Sequence, residues 1–311
     1  KIVLDLWTSA ARQGIIGAQM NLGMVYQGFH GVDRNSKEMS WWYSRAATQG
    51  NVDAEMIMGN LFADGSKIAR DYEKAKYWWQ KAASHGHPVA QYNLGCMHHK
   101  GNGCSRNDKL SAWWWQKAAD QGHAPSQFNL GCLYESGNGV EKDFKNAVEL
   151  WQKAADQGYP NAQFNVGNLH KTGDGGVPQD MSLVVYWYEK AAKQGFFVAQ
   201  FNLGLLCHDG DGVPQDYGLT HHWWRKAATQ NCSTAQFNLG HLYLHGKGVD
   251  QDDQKAAEWY RRAANLGYDE AQVVLGCLYL TGQGVVRDVG ESERWFLKAA
   301  HQGNAEAQRN L

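Results

Sequence analysis

The sequence predicts an all-α solenoid of helix pairs that repeat every 36 residues. An Ala-Ala pair recurs nine times along the chain, in steps of 36 residues with one step of 37. An independent glycine, preceded by Leu, Val or Met, recurs eight times with the same spacing. The 311 residues also include 35 Gly and 14 Trp, and most of both fall at fixed positions of the period. A period of this length, held over a whole chain, is typical of stacked helical repeats.

Residues 125–158 illustrate one repeat unit. Apolar residues at helical spacing predict a first helix, helix A, over 126–136, followed by a glycine-containing loop. A second helix, helix B, is predicted over 143–157 with Asp143 as its N-cap and Gly158 just beyond its end. A unit of this size cannot bury its own apolar faces, so neighbouring units must stack.

The glycine inside helix A, Gly131 in this unit, indicates close packing against helix B. Glycine costs about 1 kcal/mol relative to alanine in a helix interior, so its recurrence needs a packing reason. We therefore predict that a larger residue at Gly131 destabilises the fold.

The repeats predict a single solenoid domain over residues 1–311, with about eight and a half units. Because the chain begins and ends inside a unit, it is expected to be a fragment of a longer protein. The predicted units are 1–14 (partial), 15–50, 51–86, 87–122, 123–158, 159–195, 196–231, 232–267, 268–303 and 304–311 (partial).

The units resemble Sel1-like repeats, which are relatives of the tetratricopeptide repeat. The resemblance rests on the pattern A-Q-F-N-L-G-x-L-Y-x-x-G-x-G-V-x-x-D followed by W-W/Y-x-K-A-A-x-Q-G, as in residues 235–252 and 259–267. It covers the whole chain and implies a right-handed superhelix and a role as a protein-interaction scaffold or adaptor. A cysteine-rich branch of that family pairs two cysteines in each repeat, and that pattern is absent from this sequence.

Composition and motifs argue against several other classes of function. Lys and Arg number 30 against 31 Asp and Glu, so there is no basic excess for a nucleic-acid partner. No apolar stretch is long enough to predict membrane insertion. Nucleophile-elbow, phosphate-loop and paired-cysteine motifs are missing, so we predict no enzyme activity and no cofactor.

A column of asparagines is the first candidate for partner binding. An Asn stands two residues before the helix A glycine, and a Phe or Tyr stands directly before that Asn. By analogy with tetratricopeptide geometry, helix A faces the concave side, where amides can hydrogen-bond the backbone of an extended peptide. The alternative, that the amides bond neighbouring repeats or helix ends, stays open. The candidate residues are Asn93, Asn129, Asn165, Asn202, Asn238, Tyr92, Phe128, Phe164, Phe201 and Phe237.

A second candidate surface is a row of aromatic residues on helix B. Twelve of the 14 Trp lie three or four residues before the Ala-Ala pair and are predicted core. The position five before the pair points outward and carries Trp41, Tyr77 and Trp113 in three successive units. The row is predicted to be confined to the N-terminal part. Later units carry at this position Glu149, His222, Glu258 and Arg294.

Histidines and cysteines give weaker signals. His208, His241 and His245 are predicted to share one surface and are a weak candidate for a zinc site, with a solvated polar face as the alternative. The cysteines that share one repeat position are predicted to lie about 8–10 Å apart, too far for disulfides. The compartment stays open, although unpaired thiols favour the cytoplasm over a periplasmic or secreted location.

The sequence therefore predicts a protein–protein interaction scaffold that binds a peptide or protein segment on the concave helix A surface. A long, shallow, repeated surface suits extended chains better than small molecules. Two alternatives stay open for the exposed aromatic row: self-assembly into a homo-oligomer, and glycan binding.

Overall fold

Side-chain caps define where each helix B begins. The Asn107 Oδ1 accepts a hydrogen bond from the Leu110 N–H at 3.0 Å, and the Asp252 Oδ1 accepts one from the Lys255 N–H at 2.9 Å. Such caps satisfy backbone donors that have no partner inside the helix. The predicted N-cap at Asp143 is confirmed, and the same role is filled in other units by Asn35, Asp71, Asn107, Asp180, Asp216, Asp252 and Asp288.

The computed structural model describes residues 2–28 and 33–311, and these contain 18 α-helices and no β-strand. A short 3₁₀ turn, Asp174–Gly176, accommodates the one extra residue of the array. Helices A are α2 (Ile16–Val25), α4 (Val52–Asp64), α6 (Pro88–Lys100), α8 (Ala124–Ser136), α10 (Pro160–Thr172), α12 (Phe197–Asp209), α14 (Ser233–His245), α16 (Asp269–Thr281) and α18 (Ala305–Asn310). Helices B are α1 (Ile2–Arg12), α3 (Ser36–Thr48), α5 (Tyr72–Ser84), α7 (Asp108–Asp120), α9 (Phe144–Asp156), α11 (Met181–Lys193), α13 (Tyr217–Ala228), α15 (Asp253–Asn265) and α17 (Val289–His301).

Left-handed residues end the helices as the sequence predicts. Gly137 follows helix A with φ 76°, and Gly158 follows helix B with φ 91°. Asn231, which replaces the glycine after α13, adopts φ 65°. Asparagine is among the few residues with a side chain that tolerate this region.

Each helix A glycine lies against an aromatic ring of helix B, which confirms the predicted close packing. A Cβ built on Gly95 would lie 2.4 Å from the Cδ1 of Trp115. The indole N–H of Trp115 donates to the Tyr92 carbonyl on helix A at 3.2 Å. The rings that occupy this position are Tyr43, Trp79, Trp115, Trp151, Tyr188, Trp224, Tyr260 and Phe296.

A ladder of buried glutamines, which the repeat pattern did not predict, joins successive repeats. The Nε2 of Gln200 donates to the Ala192 carbonyl near the end of the preceding helix B, at 3.0 Å. The Oε1 of Gln200 accepts from the Nε2 of Gln230, at the end of the next helix B, at 2.9 Å. The same Oε1 acceptor role is filled by Gln19, Gln91, Gln163, Gln200 and Gln272.

The helix pairs form two compact units, residues 1–154 (unit 1) and 155–311 (unit 2). In each unit the core consists of small clusters between adjacent helices, such as Leu203, Leu206 and Tyr188 in unit 2. Among the described residues, no helix has the length and apolar character needed to cross a membrane.

Candidate partner-binding surface

The Asn column divides into engaged and unengaged side chains. The Asn93 amide donates to the Asn60 Oδ1 at 3.1 Å, and the Asn202 amide donates to the Val198 carbonyl of its own helix at 2.8 Å. All five predicted asparagines are half-buried. Of the five, Asn129, Asn165 and Asn238 have side chains that make no hydrogen bond within the described residues. These three amides keep their donors and acceptors available.

The aromatic residues beside the Asn column contribute mainly to packing between repeats. The Phe164 ring lies 5.1 Å from the Tyr188 ring and 5.7 Å from the ring of Phe196, which precedes the next helix A. The Phe237 ring is likewise 5.2 Å from Tyr268. Only part of each ring stays accessible. The half-buried members are Tyr92, Phe128, Phe164, Phe201 and Phe237.

Equivalent cavities recur on the helix A side of the two units. The unit 1 cavity measures about 150 Å³ and the unit 2 cavity about 390 Å³. Seven repeat positions are common to both linings, each pair being 145 residues apart. The unit 1 lining is Ala63, Tyr72, Trp79, Asn93, Cys96, Met97, Lys100 and Asn102. The unit 2 lining is Leu205, His208, Asp209, Trp224, Asn238, His241, Leu242, His245 and Lys247.

The three histidines of the weak zinc hypothesis all line the unit 2 cavity. The structure lends the zinc part of that hypothesis no support, because the described part of the chain holds no group of three or more His, Cys, Asp or Glu that could bind a metal ion. His208 lies beside Asp209 instead, with its Nδ1 2.7 Å from the Oδ1. The His241 and His245 rings stack 6.0 Å apart.

The exposed aromatic row is present, and each ring carries a cation. Trp41, Tyr77 and Trp113 are 46%, 51% and 48% exposed. The Lys117 Nζ lies 4.1 Å from the Trp113 ring centroid, and equivalent cations cover Trp41 and Tyr77. Each ring also meets the neighbouring tryptophan edge to face.

The prediction that this row is confined to the N-terminal part is wrong. Tyr186 in unit 2 occupies the same repeat position, is 46% exposed and lies under the Lys190 ammonium at 4.5 Å. The sequence contained the signal, because Tyr186 stands five residues before Ala191. Aromatic-plus-cation pairs of this kind therefore occur in both units.

The half-buried thiols of Cys96 and Cys132 are poor nucleophiles. Burial raises the pKa of Cys132 to about 11 and raises the pKa of Cys96 as well. A protonated thiol is a poor nucleophile. All six cysteines are free in the structure.

The repeats match the family model for the Sel1 repeat eight times. The matched residues are 16–51, 52–87, 88–123, 124–159, 160–196, 198–232, 233–268 and 269–304. The chain belongs to the Sel1 repeat family. Proteins of the Sel1 repeat family generally act as scaffolds for protein–protein interactions.

Solved structures agree with the family assignment. A Sel1 repeat protein from Oxalobacter formigenes is 33% identical to this chain, with a TM-score of 0.71. The match spans 98% of this chain and 88% of the Oxalobacter chain. A protective antigen with an SLR fold from uropathogenic Escherichia coli is 33% identical to this chain, with a TM-score of 0.53. The match spans 99% of this chain and 73% of the antigen chain. Yeast Tom70, at 13% identity and a TM-score of 0.50, shares the fold alone; it covers 90% of this chain and 60% of its own. A comparison with curated proteins gave no match.

Proposed function

We propose that this Sel1 repeat chain is an adaptor that holds an extended protein segment along its helices A. The unengaged amides of the Asn column bond the backbone of the segment, and the neighbouring cavities receive its side chains. The observation that supports this most directly is the recurring cavity, which is lined in unit 2 by the unengaged Asn238 and in unit 1 by Asn93, whose amide already donates to Asn60. We infer no catalytic role and no cofactor.

The half-buried setting of the amides suits backbone recognition. Asn129, Asn165 and Asn238 each offer one acceptor and two donors in a partly desolvated position. A peptide backbone presents donors and acceptors regardless of its sequence, so the Asn column would contribute affinity and the cavities would contribute specificity.

The experiment combines site-specific photocrosslinking with variants of the amides. A photocrosslinker at Cys132 on helix A is expected to capture a partner in the native cell, and one at Trp113 on helix B is not. Asn129→Ala with Asn165→Ala should reduce the capture at least about fivefold, as expected for loss of two net hydrogen bonds, while the melting temperature stays within about 2 °C. Capture from Trp113 but not from Cys132, or unfolding of the Asn variant, contradicts the proposal.

A second candidate is self-assembly or glycan binding through the aromatic row. Its exposed rings favour an interface. The cations over Trp41, Tyr77 and Trp113 already cover one face of each ring, which reduces the free apolar area. If light scattering finds an oligomer that Trp41→Ser with Trp113→Ser dissociates, the row is a homotypic contact. Glycan-array binding lost in the same variant would assign it to glycans instead.

A further inference from the structure

The unit 2 cavity is chemically unlike its equivalent in unit 1. Positions filled by Cys96 and Lys100 in unit 1 are filled by His241 and His245 in unit 2. The imidazole of His208 also replaces a methyl group at the equivalent position. The repeat frame is the same, so these side chains determine what the larger cavity can bind.

Two of the three imidazoles, His208 and His241, pack against aromatic neighbours that orient their rings. The His208 ring stacks on the Trp224 indole at 5.4 Å with 26° between the planes. The His241 ring meets Phe237 at 4.7 Å and Tyr260 at 5.6 Å, edge to face in both cases. Fixed rings lose little conformational freedom when a ligand binds, which favours recognition.

Two of these imidazoles have unused hydrogen-bonding atoms. Within the part of the chain that the structure describes, neither His241 nor His245 has a side-chain hydrogen-bond partner. His208 is already bonded to Asp209, the single carboxylate of the lining. Each of these imidazoles therefore offers the cavity one N–H donor and one acceptor nitrogen when neutral, and two N–H donors when protonated.

The charge of the lining favours an anion. With neutral imidazoles, the Lys247 ammonium and the Asp209 carboxylate cancel; protonation of the three imidazoles adds three positive charges. Burial, together with the neighbouring His245 and Lys247, lowers the pKa of His241. A bound anion would offset that repulsion and promote protonation.

The apolar residues that line the unit 2 cavity indicate the size of the anion and the kind of group that carries it. Leu205, Leu242 and the Trp224 indole supply apolar surface beside the imidazoles, and Asn238 lies at the same cavity. An acidic side chain has a short apolar stem, a carboxylate end and a backbone that an asparagine can bond. About 390 Å³ is ample for one such side chain.

We propose that the cavity lined by His208, His241 and His245 is a subsite for the carboxylate side chain of an acidic residue in the bound protein segment. This inference rests on the proposed function, since the segment reaches the cavity along the helix A surface. The carboxylate accepts hydrogen bonds from His241 and His245, and Lys247 adds positive charge at the cavity.

The test uses the whole chain and a C-terminally amidated Gly/Ser peptide with a central Glu-Glu pair. The same peptide with Gln-Gln is the neutral control. Binding is followed by the histidine ring signals in NMR at about pH 5 and about pH 8, and the lower value is chosen because burial lowers the pKa of His241. We expect the Glu peptide to bind about tenfold tighter than the Gln peptide at the lower pH, the size of a charge-assisted hydrogen bond, and less than about threefold tighter at the higher pH.

Variants locate the effect. His241→Gln with His245→Gln should abolish the preference for Glu. The single His245→Gln, at an exposed position, should reduce it several-fold. His222→Gln, an exposed imidazole on α13 outside the cavity lining, is the matched control and should leave the preference unchanged.

Three outcomes overturn the proposal. They are equal binding of the Glu and Gln peptides at both pH values, a Glu preference that survives His241→Gln with His245→Gln, and preferential binding of a Gln peptide with a free C-terminus, which would assign the site to a chain end. Asn129→Ala with Asn165→Ala separates this inference from the proposed function. If that variant keeps both the Glu preference and partner capture, the backbone-binding role fails while the subsite stands.

Discussion

One junction of the glutamine ladder lacks its second member, and this gives a direct test of what the ladder contributes. At other junctions, such as that of Gln91 with Gln121, the buried Oε1 accepts an amide from a glutamine 30 or 31 residues later, at 2.7–2.9 Å. Leu266 stands where that glutamine would be for Gln236. The Gln236 Oε1 is accordingly buried without a hydrogen-bond partner. Leu266→Gln should restore the missing bond.

The expected gain is about 1 kcal/mol in the free energy of unfolding. Leaving a buried acceptor unsatisfied costs roughly 1–3 kcal/mol. Leu266 is 49% exposed, so replacing it sacrifices about half of a leucine's burial, roughly 1 kcal/mol. The cost of the unsatisfied acceptor, taken at about 2 kcal/mol, exceeds the lost leucine burial by about 1 kcal/mol.

Hydrogen exchange is the suitable assay, because repeat arrays open locally and a single melting temperature averages over many junctions. A gain of about 1 kcal/mol should slow exchange in α14, α15 and α16 about fivefold in Leu266→Gln. The matched control is Gln121→Leu, which leaves the Gln91 Oε1 without its partner and creates the same defect in unit 1. Exchange in α6, α7 and α8 should accelerate by a similar factor.

The reasoning is refuted if Leu266→Gln leaves exchange around Gln236 unchanged or faster. If Gln121→Leu also left hydrogen exchange unchanged, the bond between Gln121 and Gln91 would contribute nothing to stability. The ladder would then follow from the repeat geometry without stabilising it.

Two further perturbations test other parts of the frame. Glu55 and His85 replace the ladder pair at one junction, with 4.0 Å between the His85 Nε2 and the Glu55 Oε2, and burial raises the pKa of Glu55. The folded state therefore binds a proton more tightly than the unfolded state, and stability should fall as pH rises through the window just above the ordinary Glu pKa. Urea unfolding over this window should show the free energy of unfolding falling with pH in the parent chain. The double variant Glu55→Gln with His85→Gln should not show this fall, and it should be about 1–3 kcal/mol more stable at neutral pH. Gly131→Ala should destabilise by about 1–2 kcal/mol in thermal melts, because its Cβ would lie 2.6 Å from the Trp151 Nε1. Gly17→Ala, where a Cβ meets nothing within 4 Å, should be neutral or stabilising, and equal effects at both glycines would contradict the packing explanation.

The helix boundaries and helix pairing of this protein were predictable because the sequence features that determine them act locally. An N-cap such as Asp143 acts within three residues, and the glycine after a helix acts at one residue. The contact between Gly131 and helix B was also predictable, since glycine in a helix interior needs a reason. These features follow from backbone geometry and need no knowledge of which distant side chains meet.

Features that depend on distant partners were harder to predict. The bond between Gln91 and Gln121 joins residues 30 apart, so the recurring glutamines were visible in the sequence but their contact was not. The extra residue near Gly175 moves Tyr186 out of a strict 36-residue count. Counting 36 residues from Glu149 leads to Val185, one position short of the exposed ring. The cavities depend on how side chains from three helices fill one space, which spacing alone does not determine.

The repeats also separate residues that maintain the fold from those that can carry specificity. The ladder glutamine, the helix A glycine and the ring against it recur with few substitutions, and their contacts join helices of the frame. At the cavity positions the residue type changes instead, from Cys96 and Lys100 in unit 1 to His241 and His245 in unit 2, while the backbone position is the same. A recurring position whose contacts join helices has a structural reason, and a cavity position that varies while the backbone stays the same is free to serve a ligand. By this reasoning, partner specificity lies at the cavity positions of the helix A side, and exchanging those side chains between units should transfer the preference for an acidic residue without changing the fold.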